Sequence, residues 1–277
     1  MDKCRVVYAG NRRIGMQGLR MLLQADLEVC ALLLPAPGDD GVVEAMRQMA
    51  SHVPILGKEF TSPEGISLLR SLAPDYILSV HFPYIFTEET LSIPSIGTLN
   101  LHPAYLPCNR GWHTPSWAII EQTPFGGTLH WIDLGIDSGD IALQRRIEVL
   151  ETDTAHSLYQ RVLDLELAIL REAMPLIREK RVPRRSQGHT GTLHKKSGLR
   201  AVQEFRLSDK IAAGDFLRLL RGLTTNRWDE AAYYETGGKR YRIHIEVREE
   251  ELPVPTTDTV DSISDRILVH TQERSLL

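Results

Sequence analysis

From Arg5 to Val149 short apolar runs alternate with amphipathic stretches, and this alternation restricts the fold more tightly than any other feature of the chain. Arg5 to Ala9, Glu28 to Leu34, Tyr76 to Val80 and Gly97 to His102 are runs of strand length rich in aliphatic residues. Between them, Ile14 to Gln24, Val42 to Ala50 and Pro63 to Leu72 repeat apolar residues at helical spacing. Such alternation predicts an α/β fold, a Rossmann-like, mostly parallel sheet with helices on both faces. Ligands of these sheets bind beyond the carboxyl ends of the strands, where His102 and the loop after Ala9 would lie. A helix near Pro115 to Gln122, an edge strand near Gly127 to Trp131 and a strand near Ile141 to Val149 are expected next. Thr152-Asp153-Thr154 then caps a long amphipathic helix that runs to about Glu179.

Val182-Pro183 and the polar stretch Ser186-Gln187-Gly188-His189-Thr190-Gly191 read as a linker. A larger domain over 1–185 and a small C-terminal α+β appendage over 186–277 are therefore expected. Within the appendage, Leu199 to Phe205 is extended, Ser208 to Gly222 is a capped helix, and Ala231 to Val247 is a hairpin turning at Gly237-Gly238. The last stretch, from Arg248, has little pattern and is expected to form a peripheral arm.

At 277 residues the chain is long enough for a full α/β core and a second unit, and 42% hydrophobic with 25% charged residues is ordinary for a soluble globular protein. A net charge of -4 offers no general attraction to nucleic acid or to an anionic membrane. Cys4, Cys30 and Cys108 lie far apart without metal-ligand spacing, which fits a reduced cytoplasmic setting, and no metal is expected. The amino terminus leads into a strand rather than an apolar signal core, and no run reaches transmembrane length.

Chemistry concentrates between Leu99 and Gln144. Alternation along the Gly97 to His102 strand sends Asn100 and His102 to one face and Leu99 and Leu101 to the other. Leu106, Pro107 and Gly111 follow, and Asp137 sits within Gly135-Ile136-Asp137-Ser138-Gly139. An amide, an imidazole and a carboxylate can steady an oxyanion and move a proton in an acyl transfer. Nearby, Tyr105, Asn109, Arg110, Gly111, Trp112 and His113 combine aromatic, guanidinium and imidazole groups suited to a polar ring bearing phosphates. The first loop, Gly10-Asn11-Arg12-Arg13-Ile14-Gly15, has Arg12 where a dinucleotide fingerprint needs a glycine, and Met16 and Gln17 where a P-loop needs Lys and Ser or Thr. Its backbone N–H groups together with Arg12 and Arg13 nevertheless suit phosphates.

Asn-x-His, then Leu-Pro-x-x-x-Gly, then an Asp in a glycine-rich loop resembles the N10-formyltetrahydrofolate-dependent formyltransferase family, and the Tyr105 to Pro115 loop is similar to that of nucleotide-sugar N-formyltransferases of surface-polysaccharide pathways. The resemblance implies a transferase that uses N10-formyltetrahydrofolate and an amino-deoxysugar on a nucleoside diphosphate, with Asn100, His102 and Asp137 catalytic. It implies that the first loop, through Asn11, Arg12 and Arg13, takes the substrate phosphates, as the equivalent loop does in glycinamide ribonucleotide transformylase. It also implies a folate cleft formed by Phe82, Tyr84, Ile85 and Phe86 with Asp133 and Leu134, read mainly through backbone groups. In the appendage, Lys196 and Trp228 are expected at the substrate. Trp228 lies in Thr224-Thr225-Asn226-Arg227-Trp228, where several relatives carry an aromatic and proline-rich loop. A homodimer through the appendage or long helix is compatible with this reading. Formyl transfer to methionyl-tRNA is disfavoured by the balance of 14 basic and 14 acidic residues from Ser186 to Leu277. Transfer to glycinamide ribonucleotide and a non-catalytic module of the same fold are the alternatives, the intact Asn100, His102 and Asp137 set arguing against the latter; hydrolysis of the formylated folate is disfavoured because relatives that catalyse it usually carry an N-terminal regulatory module.

Overall fold

The structure is a computed structural model that describes residues 3–38, 40–188 and 191–252. Part of the expected linker, His189-Thr190, and nearly all of the expected terminal arm lie outside the described residues. Contacts group the chain through Val247 into one compact unit.

The strands, in chain order, are β1 (Arg5–Gly10), β2 (Glu28–Leu33), β3 (Ile55–Leu56), β4 (Tyr76–Val80), β5 (Gly97–His102), β6 (Arg110–Gly111), β7 (Phe125–Trp131), β8 (Ile141–Ile147), β9 (Leu193–His194), β10 (Ala232–Thr236) and β11 (Lys239–Ile243). The helices are α1 (Arg12–Gln24), α2 (Val42–Met49), α3 (Pro63–Ser71), α4 (Glu88–Leu91), α5 (Thr114–Glu121), α6 (Ala155–Arg178), α7 (Arg200–Gln203) and α8 (Ala213–Leu223). Seven strands form the main sheet in the order β3-β2-β1-β4-β5-β7-β8. The first five run parallel, and β7 and β8 are antiparallel additions.

The central strands read as nearly unbroken apolar runs because both faces of the sheet are covered. Val6 and Tyr8 of β1 meet Leu19 and Leu22 of α1 and Ile169, Leu170 and Ala173 of α6 on one side. On the other, Val7 and Ala9 meet Phe60 and Leu69. Local signals start three of these helices. Ser62 caps α3 ahead of Pro63, Asn11 caps α1, and Thr154 and Ser157 exchange side-chain and backbone bonds in a capping box on α6. Each such cap contributes about 1 kcal/mol.

Several expectations are corrected. The strand near Gly127 to Trp131 is interior: β7 lies between β5 and β8, and β8 is the edge. An antiparallel return leaves no mark in composition, so chain order alone misplaces it. Leu199 to Phe205 is not extended. Leu199, Leu220 and Leu223 bury one apolar cluster, and the backbone takes one helical turn, α7, to place them. The α8 helix begins at Ala213, without a side-chain cap, rather than at Ser208. The hairpin forms as expected around Gly237-Gly238, both at positive φ.

Candidate active site

Backbone alternation on β5 turns Asn100 and His102 to one face, and the antiparallel register places His130 of β7 directly opposite Asn100. Nδ1 of His130 lies 2.8 Å from the Trp131 carbonyl, so that nitrogen carries the proton and donates it. His130 Nε2 is then an acceptor, and Asn100 Nδ2 donates to it at 3.1 Å. This bond fixes the Asn100 amide with a second N–H left for a ligand.

His102 is 8% exposed, and its Nε2 has no hydrogen-bond partner among the described residues. The nearest carboxylate oxygen is Asp137 Oδ2, at 3.5 Å, while Asp137 Oδ1 lies 3.5 Å from His130 Nε2. Burial pushes the His102 pKa below its ordinary value, against the upward pull of Asp137, so the ring is neutral at rest. Burial also pushes the Asp137 carboxyl up. Against that push, the Gly111 N–H donates to Oδ2 at 2.9 Å, and the group is held well below the usual carboxylate range. The pair is therefore an ionised carboxylate facing a neutral imidazole whose buried Nε2 is unpartnered.

The Asp137 loop is braced from within and by Gln187. Asp133 Oδ1 accepts from Gly135 N and Ser138 Oγ inside the loop. Gln187 Nε2 donates to the carbonyls of Asp137 and Gly139, and its Oε1 accepts two bonds from Arg110. Gly111 has φ +87, and a Cβ there would lie 2.4 Å from the His194 carbonyl, so only glycine lets β6 pair with β9 while its N–H reaches Asp137.

The other expected residues divide by exposure. Asn109 is fully buried, with its amide bonded to Thr123 and Thr192, so it braces the loop instead of facing a ligand. Tyr105 is half-buried and its carbonyl accepts from Cys108 N. Trp112 is 47% exposed with the Lys196 ammonium 4.9 Å from its ring centre, and His113 Nε2 donates to the Lys196 carbonyl at 2.9 Å. Trp228 is half-open and stacks on His244 at 4.0 Å. Asn11 spends its side-chain oxygen on the Arg12 N–H, whereas Arg12 and Arg13 are exposed. Phe82 and Phe86 pack edge to face on Phe60, Tyr84 packs edge to face on Phe82, and Ile132 joins the same cluster. Ile85, Leu134 and Ile136 stay largely exposed on the two segments, an apolar surface that a flat heterocycle fits. The Asp133 side chain is spent inside its own turn.

Residues 43–174 match the family described as formyl transferase, and residues 199–249 match the N-formyltransferase dimerization C-terminal domain. Over 244 residues the chain is 30% identical to methionyl-tRNA formyltransferase of Acetivibrio thermocellus, covering 85% of this chain and 77% of the relative. The chain belongs to the formyltransferase family. Another family member, dTDP-4-amino-4,6-dideoxyglucose formyltransferase of Mycobacterium bovis, is 30% identical over 179 residues, which cover 65% of this chain and 75% of the relative. A sugar N-formyltransferase from Shewanella has the same fold, with a TM-score of 0.76 at 20% identity over 90% of this chain and 99% of that one. A formyltransferase from Anoxybacillus kamchatkensis, in complex with UDP-4,6-dideoxy-4-formamido-L-AltNAc and tetrahydrofolate, is 26% identical at a TM-score of 0.50, over 62% of this chain and 88% of that one. This formyltransferase is thus an enzyme with a mostly parallel, Rossmann-like sheet.

Sequence reasoning missed His130 and Gln187. His130 becomes visible only through the β5–β7 register, and Gln187 only through a contact 50 residues away from Asp137. The one available signal for His130 was its two-residue step from Thr128 on an alternating strand.

Proposed function

We propose that this formyltransferase moves the formyl group of N10-formyltetrahydrofolate to the amine of a nucleotide-linked amino-deoxysugar, with a dTDP-linked sugar favoured, in the cytoplasm and in a pathway such as lipopolysaccharide O-antigen assembly. The observation that carries the chemistry is the buried, unpartnered Nε2 of His102 beside an ionised Asp137 and the fixed amide of Asn100.

The bound folate supplies the formyl carbon, and Phe82, Tyr84, Ile85 and Phe86 with Asp133 and Leu134 form its cleft. Asn100 donates its second Nδ2–H to the formyl oxygen as negative charge grows there, which stabilises the transition state more than the ground state. Neutral His102 accepts a proton from the attacking amine through Nε2. Asp137 stabilises the imidazolium that results, and His102 then returns the proton to the departing folate nitrogen. One N–C bond forms, one breaks, and the proton moves from amine to amine, so the exchange needs no further reactant. His130 keeps Asn100 aimed through this sequence.

The nucleotide-sugar assignment draws on the nucleotide-sugars named for two relatives, one as an amine and one already formylated, on exposed Arg12 and Arg13 for the diphosphate, and on Trp112, Lys196, His113 and Trp228 at the rim. The match to a dimerization domain supports a homodimer. The 30% identity to a methionyl-tRNA formyltransferase favours a second reading, transfer to a charged tRNA. A formyl-transfer assay with mass detection separates them: dTDP- and UDP-linked amino sugars are expected to gain one formyl group. Formylation of methionyl-tRNA alone would establish the second reading.

A further inference from the structure

We propose that Glu166, His81 and Tyr159 form a buried relay that positions Arg12 to bind the diphosphate of the substrate, an inference that rests on the nucleotide-sugar reading above. Glu166 is a carboxylate with 0% exposure on α6, on a stripe otherwise made of Val162, Ile169, Leu170 and Ala173. An apolar side chain at such a position is commonly neutral or stabilising relative to a buried ion pair, so packing alone does not account for a glutamate. Its two oxygens lie 3.1 and 3.0 Å from Nε2 of His81, the residue that follows the last position of β4.

The polarity of the relay follows from the donors. His81 Nε2–H donates to the carboxylate, which leaves Nδ1 as an acceptor. The Tyr159 hydroxyl, 3.2 Å away, donates to that nitrogen, and its oxygen is then free to accept from Arg12 Nη1 at 3.0 Å. Every proton points inward, from the exposed guanidinium to the buried carboxylate. The arginine therefore meets a neutral phenol, and among the described residues no carboxylate forms an ion pair with it. Its charge and its remaining donors stay available for an anion.

Backbone geometry supports the same reading. Arg12 has φ +59 and His81 has φ +53, left-handed conformations at the ends of two adjacent strands, joined by the Asn11 N–H to Val80 carbonyl bond of 3.2 Å. Two such conformations in side chains bearing a Cβ are unfavourable locally and persist where surrounding bonds hold them. Here they stand at the tips of β1 and β4, where Arg12 and His81 both bond the Tyr159 hydroxyl and where ligands of such sheets bind. Arg13 adds a second exposed cation beside the same tip.

The test uses Tyr159→Phe, which keeps the ring and removes only the hydroxyl, with Arg12→Ala and the double variant. Binding of dTDP and UDP is measured by calorimetry, and KM for nucleotide-sugar and for folate by steady-state kinetics; thermal melting checks that each variant folds. Arg12→Ala is expected to weaken nucleoside diphosphate binding at least tenfold. Tyr159→Phe is expected to weaken it several-fold and raise the nucleotide-sugar KM, with kcat and the folate KM nearly unchanged. The double variant should bind no more weakly than Arg12→Ala, because the hydroxyl acts only through the guanidinium. Glu166→Gln, which still accepts from His81, should stay close to wild type, while Glu166→Leu should match Tyr159→Phe. Unchanged binding in Tyr159→Phe, or losses that multiply in the double variant, would overturn the relay and leave the nucleotide-sugar reading in place. A wild-type enzyme that formylates another amine and binds neither nucleotide would overturn both.

Discussion

At the residue scale, the proposed mechanism divides the chemistry between two side chains on one strand face. With Asn100 assigned to the oxyanion, its replacement by Ala is expected to lower turnover on the order of 10² to 10³ with the fold intact; His102→Ala should lower it by about 10² or more. Single-turnover formyl transfer measures both, and near-native rates would remove these residues from the mechanism. The pH dependence follows from the direction of the His102 shift. Burial lowers its pKa, so the neutral, proton-accepting form dominates at pH 7 and is lost only as pH falls below about 6.5, the ordinary histidine value. The acid limb of kcat/KM should therefore lie below that value, with Asp137 titrating lower still. Asp137 raises the His102 pKa, so Asp137→Asn should move the His102 titration further toward acid, as read by NMR of the ring proton. A shift toward higher pH would contradict the arrangement.

At the element scale, the site depends on a strand pair of two residues each. Pairing of β6 with β9 brings the Gly111 N–H onto Asp137, and Gln187 ties Arg110 to the carbonyls of Asp137 and Gly139. Gln187→Ala removes these ties, each contributing about 1 kcal/mol. The expected result is a kcat reduced about tenfold with the folate KM little changed, since Gln187 bonds the Asp137 loop and Arg110 and none of the segments assigned to the folate. A change confined to KM would contradict a positioning role. The β5 face, the glycine loop and the mostly parallel character of the sheet were legible in the sequence, because period-two alternation and turn chemistry are local; the strand order and the short β3 were not. The β7 position, His130 and Gln187 were not legible, because register and long-range contact depend on which surfaces meet. Asn109 shows the converse error: a polar residue in a site loop read as a ligand group, yet packed to satisfy Thr123 and Thr192.

At the scale of the whole molecule, charge balance bears on the choice of acceptor. The residues from Ser186 onward carry 14 basic and 14 acidic side chains, too even a distribution for the salt-dependent phosphate contacts of a tRNA-binding surface. Methionyl-tRNA is therefore expected to bind weakly at physiological salt while nucleotide-sugars are formylated; filter binding across a salt series checks this, and tight binding with a steep salt slope would reverse the assignment. The strut from Gln187 also limits how this protein can be recombined. A chimera joined after Arg185 would keep Asn100, His102 and Asp137 from one parent and take the braces of their loop from another. A junction placed beyond His194 keeps both together, so the inheritable unit of catalysis extends past the last helix of the main sheet.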